Sequence, residues 1–159
     1  MQETVITRPG LARLTEELER LTTEGRSTAS ARLAEAAARG ADRLADADYL
    51  DAMEGRADLE RRIAVLDSRL RGAEVVEPLP GNGRADVGEW LRLRDVASGE
   101  VLSFQLVGQL EANVSAGRIS VASPLGRAAL GARAGEIVEV DAPIGTTSYE
   151  IVAIEEPRT

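Results

Sequence analysis

Leu11, Leu14, Leu18 and Leu21 recur at spacings of three and four, with Arg13, Glu16, Glu17, Glu19 and Arg20 between them. That rhythm predicts one apolar stripe on an otherwise charged helix. Thr7 suits its N-cap, and Pro9 follows where a missing N–H costs nothing. The stripe thins to small residues through Gly25, Ala29 and Ala36, with Leu33 in phase, so the helix is expected to run to about Arg39. Gly25, Ser27 and Thr28 lower helix propensity midway and soften that region. Gly40 is a helix stop. A second pattern then runs through Tyr49, Met53, Ala57, Ile63, Leu66 and Leu70, and Gly72 and Pro78 mark its end. Two helices of about 30 and about 25 residues, each about 40 Å long at 1.5 Å per residue, exceed what a small domain needs for its own core. With one stripe each and a short connection, they are expected to pair as an antiparallel coiled-coil hairpin.

The period changes after Glu77-Pro78-Leu79-Pro80-Gly81-Asn82-Gly83, which reads as a linker. Alternation at Trp90 to Arg94, Val101 to Val107, Ile119 to Val121, Ile137 to Val140 and Tyr149 to Ile154 predicts five strands, and Pro124 to Leu130 one short helix. The fold class is therefore α+β: a hairpin over residues 1–76, a linker over 77–84 and a small β-rich domain over 85–159. Trp90 and Phe104 are the expected aromatic anchors of that domain's core. Tyr49 and Met53 fall in phase with the second helical stripe and are expected to pack inside the hairpin.

Composition narrows the chemistry. With neither Cys nor His in 159 residues, disulfides, thiolate or imidazole metal sites and His-based general bases are excluded. A formal charge of −8 opposes sequence-specific nucleic-acid binding, because the Arg residues are scattered from Arg8 to Arg158 and form no basic face. No apolar run reaches the roughly 20 residues of a membrane span, and the N-terminus lacks the order of a signal peptide. The expected location is the cytoplasm and the expected state a monomer.

The densest chemistry lies between the helical patterns. Gly40 to Tyr49 carries Asp42, Asp46 and Asp48, with Asp51 and Glu54 close behind. Such a cluster is commonly the acidic first turn of a helix, where carboxylates favour the positive dipole end. On the end of a hairpin it is also a negative tip.

Taken together, Thr7, Gly10, Leu14, Glu17 and Leu18 in the first helix, Asp42, Ala47, Asp48 and Tyr49 at the tip, and Ile119-Ser120, Ser123-Pro124, Arg127, Leu130 and Gly131 in the second domain resemble the Gre family of bacterial transcription elongation factors. Gly135, Val138, Val140, Pro143, Gly145 and Tyr149 extend the resemblance over nearly the whole chain. The resemblance implies an FKBP-like C-terminal domain that docks at the rim of the secondary channel of core RNA polymerase. Ser123, Pro124 and Arg127 fall at the docking corner. It also implies a hairpin inserted into the channel, with a tip that reaches the active site. In family members that stimulate cleavage of backtracked RNA, an Asp and a Glu three residues later help to hold magnesium and a water. Mg²⁺ demands oxygen ligands, and two such ions stabilise the attacking and leaving oxygens.

The tip departs from that pattern. Counting back from Tyr49, the family's Asp falls on Asp42, but its Glu falls on Ala45, which has no side-chain oxygen. Ala122 likewise replaces an acidic or amide residue before Ser123. The resemblance therefore implies an accessory factor that fills the channel with Asp42, Asp46, Asp48 and Asp51 facing the catalytic Mg²⁺ and inhibits transcription. It holds no cofactor, and no metal binds to the isolated protein. A cleavage-stimulating Gre factor is the alternative. A prolyl isomerase, for which three aromatics are too few to line a pocket, and a coiled-coil adaptor without a polymerase role are the further readings.

Overall fold

The computed structural model describes residues 4–39, 46–79 and 81–157. The chain divides into two compact units, residues 1–11 with 73–159 and residues 12–72. The Pro- and Gly-rich stretch expected to separate the domains lies inside the first unit. The division falls between Leu11 and Ala12 and between Gly72 and Ala73. Its physical basis is a strand pair that the helical periodicity concealed: β1 (Thr4–Thr7) runs parallel to β2 (Ala73–Val76), with Thr4 opposite Ala73 and Thr7 opposite Val76. Both ends of the expected hairpin are thereby tied to the β-rich unit.

Residues 12–72 form the hairpin. Helix α1 (Arg8–Arg20) enters it, α2 (Arg26–Arg39) continues it and α3 (Ala47–Arg71) returns. The expected single first helix is interrupted at Leu21–Gly25 by a π turn, in which the N–H of Arg26 reaches back to the carbonyl of Leu21. The interruption has a register cause. Leu14 and Ala29 are fifteen residues apart, one more than two heptads, and a π turn absorbs one extra residue. Gly25 sits where the helices approach, because a Cβ there would lie 3.2 Å from Leu59 Cδ1.

Across the helices, Glu17 pairs with Arg62 at 2.5 Å, Arg26 holds Glu60 with two bonds of 2.8 Å, and Arg32 reaches Asp51 at 2.9 Å. This order fixes the antiparallel sense. On α3 the buried seam uses Tyr49, Ala52, Leu59, Ile63, Leu66 and Leu70. Met53 and Ala57 are exposed, Met53 by 47%, contrary to their expected place in it. The alternation of three- and four-residue steps selects Ala52 instead. Gly72 ends α3 as its C-cap with φ −94°, without the left-handed geometry. The helix stop expected at Gly40 lies outside the described residues.

The other unit is built on a five-stranded sheet in the order β5-β4-β3-β7-β6. The strands are β3 (Trp90–Asp95), β4 (Val101–Val107), β5 (Arg118–Ser120), β6 (Ile137–Ala142) and β7 (Gly145–Glu155). Within this sheet β4 and β5 pair in parallel, and β3 with β4, β3 with β7 and β6 with β7 are antiparallel. Helix α4 (Pro124–Ala129) supplies Ala129 to the core of Leu91, Leu93, Leu106, Ile119, Val138 and Ile151. Alternation along β3 points Leu91 and Leu93 inward and so turns Trp90 to the other face. There its ring lies 3.5 Å from where a Cβ on Gly117 would stand. Phe104 packs at the margin of the core. Aliphatic residues, not Trp90, anchor this domain.

Strand β1 is fastened by a buried carboxylate. Glu111 accepts the N–H of Thr7 at 2.8 Å and its hydroxyl at 2.5 Å, and also the N–H of Gly108 at 3.2 Å. Thr7 Oγ1 in turn accepts the Gly10 N–H at 3.1 Å, the cap anticipated from sequence.

Candidate functional site

The tip begins with Asp46, the N-cap of α3. Its backbone is extended, and Oδ1 accepts the N–H groups of Asp48 at 2.9 Å and Tyr49 at 3.4 Å. Both amides use one oxygen, and no described residue bonds Oδ2. Asp48 Oδ2 stands 3.8 Å from the Arg39 guanidinium, which also bonds Glu35, and Asp51 is held by Arg32. A polar depression of about 240 Å³ lies among Arg32, Arg39, Asp48 and Asp51. Exposed ion pairs of this kind are weak, and a stronger cation or a ligand of the arginines can break them.

Three of the four sequence-selected carboxylates thus have assignable local partners: Asp46 caps, while Asp48 and Asp51 neutralise arginines. Asp42 and the alanine at Ala45 lie outside the described residues. Among the described residues no three carboxylates converge to hold a metal ion. Oxygen donors for Mg²⁺ are present, but only as single groups.

Arg32 and Arg39 escaped the sequence reading. They are seven residues apart on α2, hence on one face, and that spacing ahead of an acidic loop was an available signal.

The second candidate region is the corner before α4. Ser123 caps the helix, accepting the Gly126 N–H at 3.0 Å and donating to the Ser120 carbonyl at 2.6 Å. Pro124 takes the first helical position. Arg127 donates to the Ala122 carbonyl, and Ala122 N–H donates to Ser120 Oγ at 3.0 Å. Gly126 cannot be replaced without movement, since its Cβ would lie 2.0 Å from the Ser120 oxygen. The Ser123 hydroxyl spends its donor and one acceptor site within the corner. What the corner presents to solvent is Ala122, Pro124, Arg127 and Leu130, an apolar surface with one cation. Gly126 carries no sequence signal of its own, because a glycine in a short helix has many ordinary explanations. Among the described residues no helix is long and apolar enough to cross a membrane.

Residues 4–75 match the family described as "Transcription elongation factor, N-terminal", and residues 80–156 match "Transcription elongation factor, GreA/GreB, C-term". Among curated relatives, the transcription elongation factor GreA of Methylococcus capsulatus is 38% identical over 156 residues, covering 97% of this chain and 98% of its own. That of Acidiphilium cryptum is 39% identical over 155 residues, covering 97% and 98%. Among solved structures, GreA factor homolog 1 of Thermus thermophilus is 35% identical, with 97% of this chain and 99% of that chain covered and a TM-score of 0.43.

Proposed function

The chain belongs to the GreA/GreB family of transcription elongation factors, and from that membership we propose that it binds core RNA polymerase through the secondary channel and inhibits transcription there. It acts as an accessory factor and not as an enzyme itself. The exposed corner of Ser123, Pro124 and Arg127 docks on the channel rim, and the hairpin places its acidic tip towards the catalytic Mg²⁺. The observation that carries inhibition over cleavage is Ala45, which supplies no oxygen where the family pattern implies a Glu.

The tip geometry supports the same reading. Asp48 and Asp51 rest on Arg39 and Arg32 and are not free carboxylates, whereas Asp46 spends only Oδ1 on capping α3. A carboxylate oriented near the metal by Asp42, or by Asp46 through Oδ2, competes for the coordination that an incoming nucleotide's phosphates require.

The curated relatives are named GreA, and that observation favours a second reading, a factor that stimulates transcript cleavage. A cleavage assay on stalled, backtracked complexes decides between them. The expected result is no stimulation together with slowed nucleotide addition. Strong cleavage lost in Asp42→Ala or Asp46→Ala overturns inhibition in favour of rescue. Failure to co-purify with core polymerase, or to compete with another occupant of the channel, overturns both.

A further inference from the structure

The β-rich unit contains a cavity of about 410 Å³ that neither the hairpin tip nor the docking corner uses. Its walls are apolar, formed by Pro9, Val76, Pro78 and Pro157, yet three carboxylates line it: Glu77, Glu89 and Glu156. Arg8 is the one cation on the wall, and Glu77 already holds it at 2.7 Å. Glu89 is the unusual member. It is only 4% exposed, and its Oε2 accepts the Asp86 N–H at 2.9 Å, while Oε1 receives no hydrogen bond from any described residue. No fully enclosed side-chain oxygen in the described residues is left unpaired, so Oε1 keeps an opening, and the cavity is the space Glu89 borders.

We infer that this cavity is a binding site for a small organic cation: an amidinium, guanidinium or primary ammonium carried on an apolar body. The cationic head meets Glu89 Oε1 and the neighbouring Glu156, and the body lies against the proline rings. Proline faces beside a carboxylate suit such an amphiphile better than a hydrated metal ion, which needs several oxygens and tolerates no apolar wall. Burial and the charge of Glu156 push the Glu89 carboxyl above its ordinary range, and a bound cation relieves both effects. Gly88 lines the cavity without a side chain: its φ is +98°, and a Cβ there would come within 3.3 Å of Pro78 Cδ.

The test is a ¹⁵N amide NMR titration of the full chain with benzamidinium at pH 7.5, with benzamide as the neutral isostere. Saturable shifts centred on Val76, Gly88 and Glu89, absent with benzamide, support the site. Glu89→Gln keeps the acceptor for the Asp86 amide and is expected to weaken binding about tenfold or more. Glu156→Gln, an exposed change that does not threaten the fold, is expected to weaken it several-fold. Equal response to benzamide, unchanged affinity in both variants, or shifts confined to the acidic hairpin overturns the assignment.

Discussion

At the residue scale the buried carboxylates make the sharpest predictions. Burial raises the Glu89 carboxyl above its ordinary value near 4.5, with the Asp86 amide pulling the other way and Asp86 and Glu156 adding to the rise. An acid raised on folding holds its proton more tightly in the native state. Its favourable contribution is therefore fully present below the ordinary Glu value and is lost as pH rises through the raised one. Glu89→Gln removes that titration, so the variant's melting temperature is expected to gain on the wild type as pH climbs from about 4.5 towards neutrality. Parallel melting curves across that range refute the assignment. Gly10 gives a steric counterpart. A Cβ there would stand 1.8 Å from Glu111 Oε1, displacing the carboxylate that holds the Thr7 and Gly108 amides. Gly10→Ala is expected to destabilise the β-rich unit by about 1–3 kcal/mol, read from denaturant unfolding monitored at Trp90. The Thr7 cap was legible because Thr followed by Arg-Pro-Gly is a local signal. Its tie to Glu111 was not, because more than a hundred residues separate the partners and Glu111 has no local pattern to mark it as buried.

At the element scale, the five strands and α4 stood close to where alternation and turn residues put them, because inward and outward positions differ cleanly there, as at Leu91, Arg92 and Leu93. The helical hairpin was legible as a hairpin but not in its phase. Met53, four residues after Tyr49, looked in phase with the seam, whereas the structure steps three residues from Tyr49 to Ala52, a residue too small to announce itself. The π turn at Leu21–Gly25 follows from the same arithmetic, one residue too many between Leu14 and Ala29. Deleting Thr23 removes that excess and is expected to leave the hairpin's helicity and melting temperature intact. Deleting Ala34, within α2, rotates Ala36 about 100° off the seam and is expected to lower the hairpin's melting temperature. Circular dichroism melts of both deletions check this, and equal damage from the two would show that the π turn does not set the register.

At the scale of the whole molecule, the proposed function assigns the two units separate tasks on one target. The resemblance carried by residues spread from Thr7 to Tyr149 was legible in sequence because it rests on patterns in both units, and the family matches over residues 4–75 and 80–156 agree with it. What sequence did not show was how the tip's charge is spent: an Asp that caps a helix and one that pairs with an arginine are the same letter, and the amides bonded to Asp46 and the positions of Arg32 and Arg39 separate them. This separation defines the last experiment. Ala45→Glu restores the missing oxygen donor, and if its absence is the reason for inhibition, the variant is expected to gain transcript cleavage by at least tenfold on backtracked complexes, with polymerase affinity unchanged. Replacing Asp42, Asp46 and Asp48 together with Ala is expected to relieve repression while binding persists. Arg127→Glu at the docking corner is expected to weaken binding about tenfold, shifting repression and restored cleavage alike to about tenfold higher concentration of the factor. Repression that survives the triple replacement would reduce the tip to a steric plug, and cleavage still absent in Ala45→Glu would mean that the loop, and not the single side chain, has abandoned the chemistry.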